Sequence, residues 1–387
     1  MREQLGTSVV ERQAAVCGAV IRGFAATGNG QVPLRGQKSR RAVFSLASGL
    51  LGLVLGSGVA AVWAGNLLLP VVFELDVGQA KQIEVTGSSG PVARQVRLLA
   101  VREFYWPNYH IPDLDKKRVF RSAEVDVDVS GITATLEARP FEMPQTVNGL
   151  RLYVETTRAW ATGPQLDPMP EVRSAVRFSC VAEGAPWGPE DMRFPVATYR
   201  WRANTYNNTW LALVPYNSHY YHRGEDFGAI PDRLEVLASL GGVIAHSPLP
   251  DGDGESNKLM IRSPCGLEVT YYHMNLESIV SRLTNHAAVR SGDLLGRTGM
   301  TWAGRKSQHH DPHLHWGVSV AGKPLASYPF AVEGYMRDYA DPLLAVAGGY
   351  HYATPGETLE LDGSRSVARS GRRIVRHVVF DTNFWKS

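Results

Sequence analysis

From residue 74 to about residue 205, polar and apolar side chains alternate one for one over short runs: QIEV, AEVDVDV, ITATLEA, LRLYVET and VRSAVRF. Successive side chains of a strand point to opposite faces, so a period of two marks a sheet with one face packed and one face polar. Clusters of Gly, Pro and Asn, the residues that close tight turns, separate the runs. The pattern predicts short antiparallel strands and a β-sandwich-like domain over 74–205. It contains no group of side chains arranged for chemistry. Trp106, Tyr109 and His110 in FYWPNYH suit an aromatic corner of a core more readily than a binding groove.

What precedes this domain is of another kind. Residues 1–41 carry seven Lys or Arg against two Glu, and AVFSLASGLLGLVLGSGVAAVWA (42–64) carries no charge at all. A basic prefix, an apolar stretch and small residues near Ala61 and Ala64 read as an export signal. The uncharged run continues to Phe73, so 42–73 also reaches bilayer length and a retained anchor stays open. Either reading places the rest of the chain outside the cytoplasm. Setting the prefix aside turns the formal net charge of +3 into a slight negative balance with both signs interspersed, which gives no basic face for nucleic acid. Beyond the apolar run the cysteines are Cys180 and Cys265, and the sequence leaves open a disulfide or two separate thiols.

Residues 206–330 are dense in Gly-bounded short strands, among them VLASLGGVIAHS, KLMIRS, LEVTYYHM and HLHWGVSV. With the preceding domain they predict a mainly β chain. AVEGYMRDYADPLL, within 331–344, reads as a short helical connector. The tail, 345–387, resembles the opening strands of a PKD-type Ig-like module, but with fewer residues than such a domain needs.

The histidines concentrate in the second half. HHDPHLHW (309–316) holds four of the twelve in the chain. On a strand His313 and His315 project from one face while Leu314 and Trp316 project from the other, so one face packs and the other presents two imidazoles. His309 and His310 are adjacent and precede Asp311 and Pro312, which interrupt a ladder; they are poorer ligand candidates and suit a solvated loop. Upstream, YHRGEDFG sets His222 and Asp226 four apart, both ordinary zinc donors. In TYYHMN, alternation predicts Tyr271 and His273 on one face. Each signal is weak alone.

Taken in order, HRGEDFG, GGVIAHS, TYYHMN, VRSGDLLGRTGMT and PHLHW resemble the lysostaphin-type (LytM-like) zinc metallopeptidases over about 218–320. The resemblance implies an antiparallel-β peptidase domain that cuts peptide bonds in bacterial peptidoglycan, at stem peptides or cross-bridges. It implies His222, Asp226 and His315 as zinc ligands, His313 as the catalytic base and His273 as a stabiliser of developing charge, with Tyr271 placed to orient it. Zinc lowers the pKa of a bound water towards about 7, which matches a histidine base. Without an HExxH motif a glutamate-based zincin mechanism has no residue to run it. One departure stands out: Glu225 occupies a position of the motif that is usually apolar, and alternation points it away from the metal, towards a packed layer or a partner charge. Two other readings are open, an inactive envelope regulator or amidase activator, and a secreted protease of the same chemistry acting on proteins.

Overall fold

In the computed structural model the described residues are 20–21, 69–88, 90–106, 119–163, 165–201, 207–214, 219–306, 312–340, 343–346, 358, 362–369, 371–375 and 379–380. Residues 42–68 of the apolar run, Tyr109 and His110, His309 to Asp311 and most of the 345–387 tail lie outside them. Among the described residues no helix is long and apolar enough to cross a membrane.

The alternating segment forms two four-stranded antiparallel sheets. The outer sheet joins β2 (Ala80–Gly87), β3 (Gly90–Tyr105), β4 (Phe120–Val129) and β5 (Ile132–Ala138) in that order. The inner sheet runs β1 (Val71–Leu75), β8 (Val176–Ala182), β7 (Leu150–Thr157), β6 (Gln145–Val147). The last three residues of the uncharged run, Val71 to Phe73, are thus strand residues, paired with Cys180, Ser179 and Phe178. β2 touches β8 and β5 touches β7, which makes a two-layer sandwich. Trp106 packs at its edge with the Arg121 guanidinium over its ring, 5.9 Å from the centroid. Cys180 and Cys265 are both free thiols, and burial pushes the Cys180 thiol up to about 12.

Sequence reasoning expected strands with one packed face, and the outer sheet obeys: β4 buries Ala123, Val125, Val127 and Val129 and turns Glu124, Asp126 and Asp128 outward. The inner sheet does not. β8 is buried at every position, and β7 at seven of eight. Its polar face is covered by the second half of the chain.

That half is built on an antiparallel sheet in the order β9 (Asn207–Asn208), β10 (Glu225–Gly228), β15 (His313–Val320), β13 (Leu267–Tyr272), β12 (Leu259–Arg262), β11 (Gly242–His246), β14 (Ala288–Val289); β16 (Lys323–Leu325) also pairs with β15. After the short helix α1 (Arg158–Thr162), the helix expected in the connector is α2 (Tyr328–Asp338), which starts earlier and has Pro329 in its first turn, where the missing N–H costs nothing. It is a packed helix rather than a loose link. Tyr335 packs edge-on into a cluster with Phe194, Tyr199 and Trp201, and Glu333 accepts hydrogen bonds from Arg151 (2.6 Å) and from the Trp187 backbone N–H (2.7 Å).

Candidate metal centre

The register of three strands assembles the site. In the central strand β15, His315 lies opposite Asp226 of β10 on one side and Tyr272 of β13 on the other; His313 lies opposite Gly228. These residues share one sheet face. Glu225, Trp316 and Tyr271 form the neighbouring row and therefore share the opposite, packed face. Leu314 and Trp316 are fully buried there, and the Trp316 indole donates to the Ser239 hydroxyl at 3.1 Å. The strand is aimed by its apolar side and does its chemistry on the other.

His222 comes to the same place from the turn before β10. Its Nε2 lies 2.9 Å from His315 Nδ1 and 3.1 Å from Asp226 Oδ1, and His315 Nδ1 lies 2.9 Å from the same carboxylate oxygen. The His222 Nδ1 faces the Thr209 carbonyl at 3.2 Å, so it carries the proton and donates. With that proton on Nδ1, Nε2 is the nitrogen turned towards the carboxylate, where it can serve as a metal donor. Two imidazole nitrogens and one carboxylate oxygen are a zinc donor set that leaves a fourth position open, and donors on a tetrahedral zinc sit about 3.3 Å apart for bonds of about 2.0–2.1 Å. The residues fit the ion. Burial alone would raise the Asp226 carboxyl, yet the surrounding His222, His313 and His315 imidazoles hold it well below its ordinary value. Gly224 makes the close approach feasible: a Cβ there would stand 2.6 Å from His315 Nε2 and 2.7 Å from the Trp316 carbonyl.

Two further imidazoles flank the triangle. His313 Nε2 is 3.6 Å from Asp226 Oδ1, and its ring centroid is 4.6 Å from that of His273. His273 is held from both ends. Its Nδ1–H donates to the Thr301 carbonyl at 2.8 Å, and its ring stacks on Trp302 at 5.2 Å. Burial, with His313 and His315 close by, lowers its pKa to about 3, so the ring is neutral with Nε2 as acceptor.

Sequence reasoning placed Tyr271 beside His273, and the structure corrects this. β13 ends at Tyr272 and His273 takes φ +70°, so alternation does not carry across the strand end. Tyr271 is buried on the packed face, where its hydroxyl accepts from the Ser239 N–H at 2.6 Å. Tyr272 is the tyrosine of the site, edge-on to His315 at 5.2 Å. Its register opposite His315 could have identified it, had the strand end been legible. Thr209, Thr301 and Trp302 carried no signal at all, since they act through backbone carbonyls or through one stacked ring. His222, Asp226, His273, His313 and His315 are brought together.

Residues 220–327, the stretch that holds all five, match the model of peptidase family M23. This part of the chain is similar to a peptidase family M23 domain. Among solved structures, the chain is similar to a glycyl-glycine endopeptidase LytM assignment from Ruminococcus gnavus (20% identity over 38% of this chain and 61% of that one, TM-score 0.28). It is also similar to pseudoalterin, an M23 metalloprotease from the deep sea (18%, 47% and 97%, TM-score 0.26), and to a zinc-containing peptidase from Vibrio cholerae (12%, 67% and 98%, TM-score 0.28). The likeness thus spans less than two thirds of the Ruminococcus chain. No curated protein matches. The M23-like domain starts within β-strand Tyr220–Tyr221 and ends at Ser327, where α2 begins, so the sandwich and α2 lie outside it.

Proposed function

We propose that this chain is a zinc-dependent metalloendopeptidase that hydrolyses peptide bonds of bacterial peptidoglycan outside the cytoplasm. The observation that carries the reading is the triangle of His222 Nε2, Asp226 Oδ1 and His315 Nδ1 with two more imidazoles beside it. His222, Asp226 and His315 would hold the ion. A bound zinc supplies Lewis acidity that polarises a substrate carbonyl and acidifies a water. His313, half-buried at the cleft, takes the proton of the attacking water and passes it to the leaving amine. His273, fixed by Thr301 and Trp302, keeps its Nε2 free to accept a hydrogen bond; the charge-stabilising role implied for it requires that it first take up a proton. The substrate class and the location rest on the lysostaphin-type resemblance and on the signal or anchor reading of 42–73.

The purified chain should take up about one zinc and release new amino termini from purified sacculi. His315→Ala should lose the metal and the activity together, whereas His313→Ala should keep the metal and lose turnover by at least about 100-fold. Zinc uptake and sacculus digestion by His315→Ala at the parent's level would remove it from the ligand set. Cleavage of casein with intact sacculi would move the substrate to proteins, and zinc binding with neither activity would favour an envelope regulator.

A further inference from the structure

Glu225 is the residue of the HRGED stretch that the metal triangle leaves unexplained. It sits next to Asp226 on β10, on the opposite face of the sheet, in register with Trp316. Its relative exposure is 0%. Its neighbours on that face, Phe227, Leu314 and Trp316, are apolar, so Leu would fit at lower desolvation cost than a carboxyl. The carboxyl is instead tied into a set of contacts that Leu cannot make. Oε1 accepts from the Ser327 hydroxyl (2.9 Å), the Thr209 hydroxyl (3.0 Å) and the Trp210 N–H (3.4 Å).

Two of those three donors lie in the segment that surrounds the metal ligands. The Thr209 carbonyl receives the His222 Nδ1–H and so decides that Nε2 is the free nitrogen. The Asn208 amide reaches Asp226 Oδ2 at 3.4 Å, and Asn208 Oδ1 accepts the Thr209 N–H at 3.1 Å. β9 adds only a two-residue pairing with β10, too short to fix that segment alone. At its far end the Trp210 indole donates to the Glu155 carbonyl of the inner sheet at 2.7 Å, and the Ala326 N–H, next to Ser327, donates to the Glu155 carboxylate at 2.6 Å.

We propose that Glu225 is a positioning residue for the metal centre. Through Thr209 and Trp210 it fixes residues 208–210, which orient His222 and contact Asp226, and it joins that support to the sandwich. This rests on the reading of His222, Asp226 and His315 as zinc ligands. Partners of this outer kind are worth about 10- to 100-fold in metal affinity.

The test is a zinc competition titration against a chromogenic chelator, on the full chain, with the thermal midpoint of each metal-free protein measured alongside. Glu225→Leu should raise the zinc dissociation constant by about 10- to 100-fold while the metal-free midpoint holds or rises. Glu225→Gln keeps an acceptor in place of Oε1 and should stay within about threefold of the parent, and Thr209→Val should lose affinity in the direction of Glu225→Leu. The Nδ1–H resonance of His222, slow to exchange in the parent, should exchange quickly in Glu225→Leu. Parent-like affinity in Glu225→Leu overturns the proposal, as does Glu225→Gln falling as far as Glu225→Leu. If Glu225→Leu does not fold, Thr209→Val decides alone: parent-like affinity there overturns it. A parent chain that takes up no zinc would instead sink the metal-centre reading itself.

Discussion

β4 and β7 are written in the same alternating pattern, AEVDVDV and LRLYVET, and meet opposite fates. The polar side of β4 faces water: Glu124 and Asp126 stand exposed or half-buried and share the Arg102 guanidinium. The polar side of β7 faces the second half of the chain. There Glu155 is only 1% exposed, accepts from the Ser179 hydroxyl and the Ala326 N–H, and is pushed up to about 7, mainly by burial. β15 repeats the lesson within the M23-like domain, where the face not used for packing, shared with Asp226 of β10 and Tyr272 of β13 and walled by His222 and by His273 on Trp302, becomes the site. Alternation defines two faces. What lies against each face decides whether its polar residues are replaceable or fixed.

The comparison breaks first at the walled face of β15. Gly224→Ala should abolish metal uptake and activity, since the added carbon would overlap His315 and the Trp316 backbone, and neither can withdraw. Metal content by mass spectrometry checks it; a fully loaded, active variant would mean that the turn yields.

At the covered face of β7 the effect is intermediate and depends on pH. The Glu155 carboxyl holds its proton more tightly folded, at about 7, than unfolded, near its ordinary value of 4.5. The native state therefore binds the extra proton between those values, and stability falls as pH rises from about 4.5 to about 7, by on the order of 3 kcal/mol in total. Glu155→Gln should flatten that part of a melting-temperature profile. A parent and variant with parallel profiles over this range would show that the carboxyl is not held in this way.

The smallest effect belongs to the wet face of β4. Asp126→Asn removes one partner of Arg102 and should change stability by under about 1 kcal/mol, as exposed ion pairs do. Urea unfolding measures it. A loss as large as that from a buried residue would show that this face is covered after all.

Much of the site was legible because its chemistry is local in sequence. HRGED carries two of the ligands within five residues and HLHW the third with the base beside it, and period two puts His313 and His315 on one face whatever the rest of the chain does. Tyr272 was missed for Tyr271 because the period ends where the strand ends, and a left-handed residue at His273 leaves no mark in composition. Residues 208–210 were missed because a carbonyl that orients an imidazole can come from any residue type.

The sequence by itself determined a mainly β chain and, through periodicity, the packed side of the outer-sheet strand β4 and of β15; the histidines and aspartate that converge were legible through the resemblance to the lysostaphin-type peptidases, each local signal being weak alone. The tertiary structure alone decided which polar faces are dry, that Glu155 and Glu225 are both buried where the sandwich meets the M23-like domain, and that α2 packs on Arg151 of the inner sheet and on the 187–201 segment. Burial of a polar face is a property of what packs on it, and that partner can lie far along the chain, as Ala326 does from Glu155 and Ser327 from Glu225.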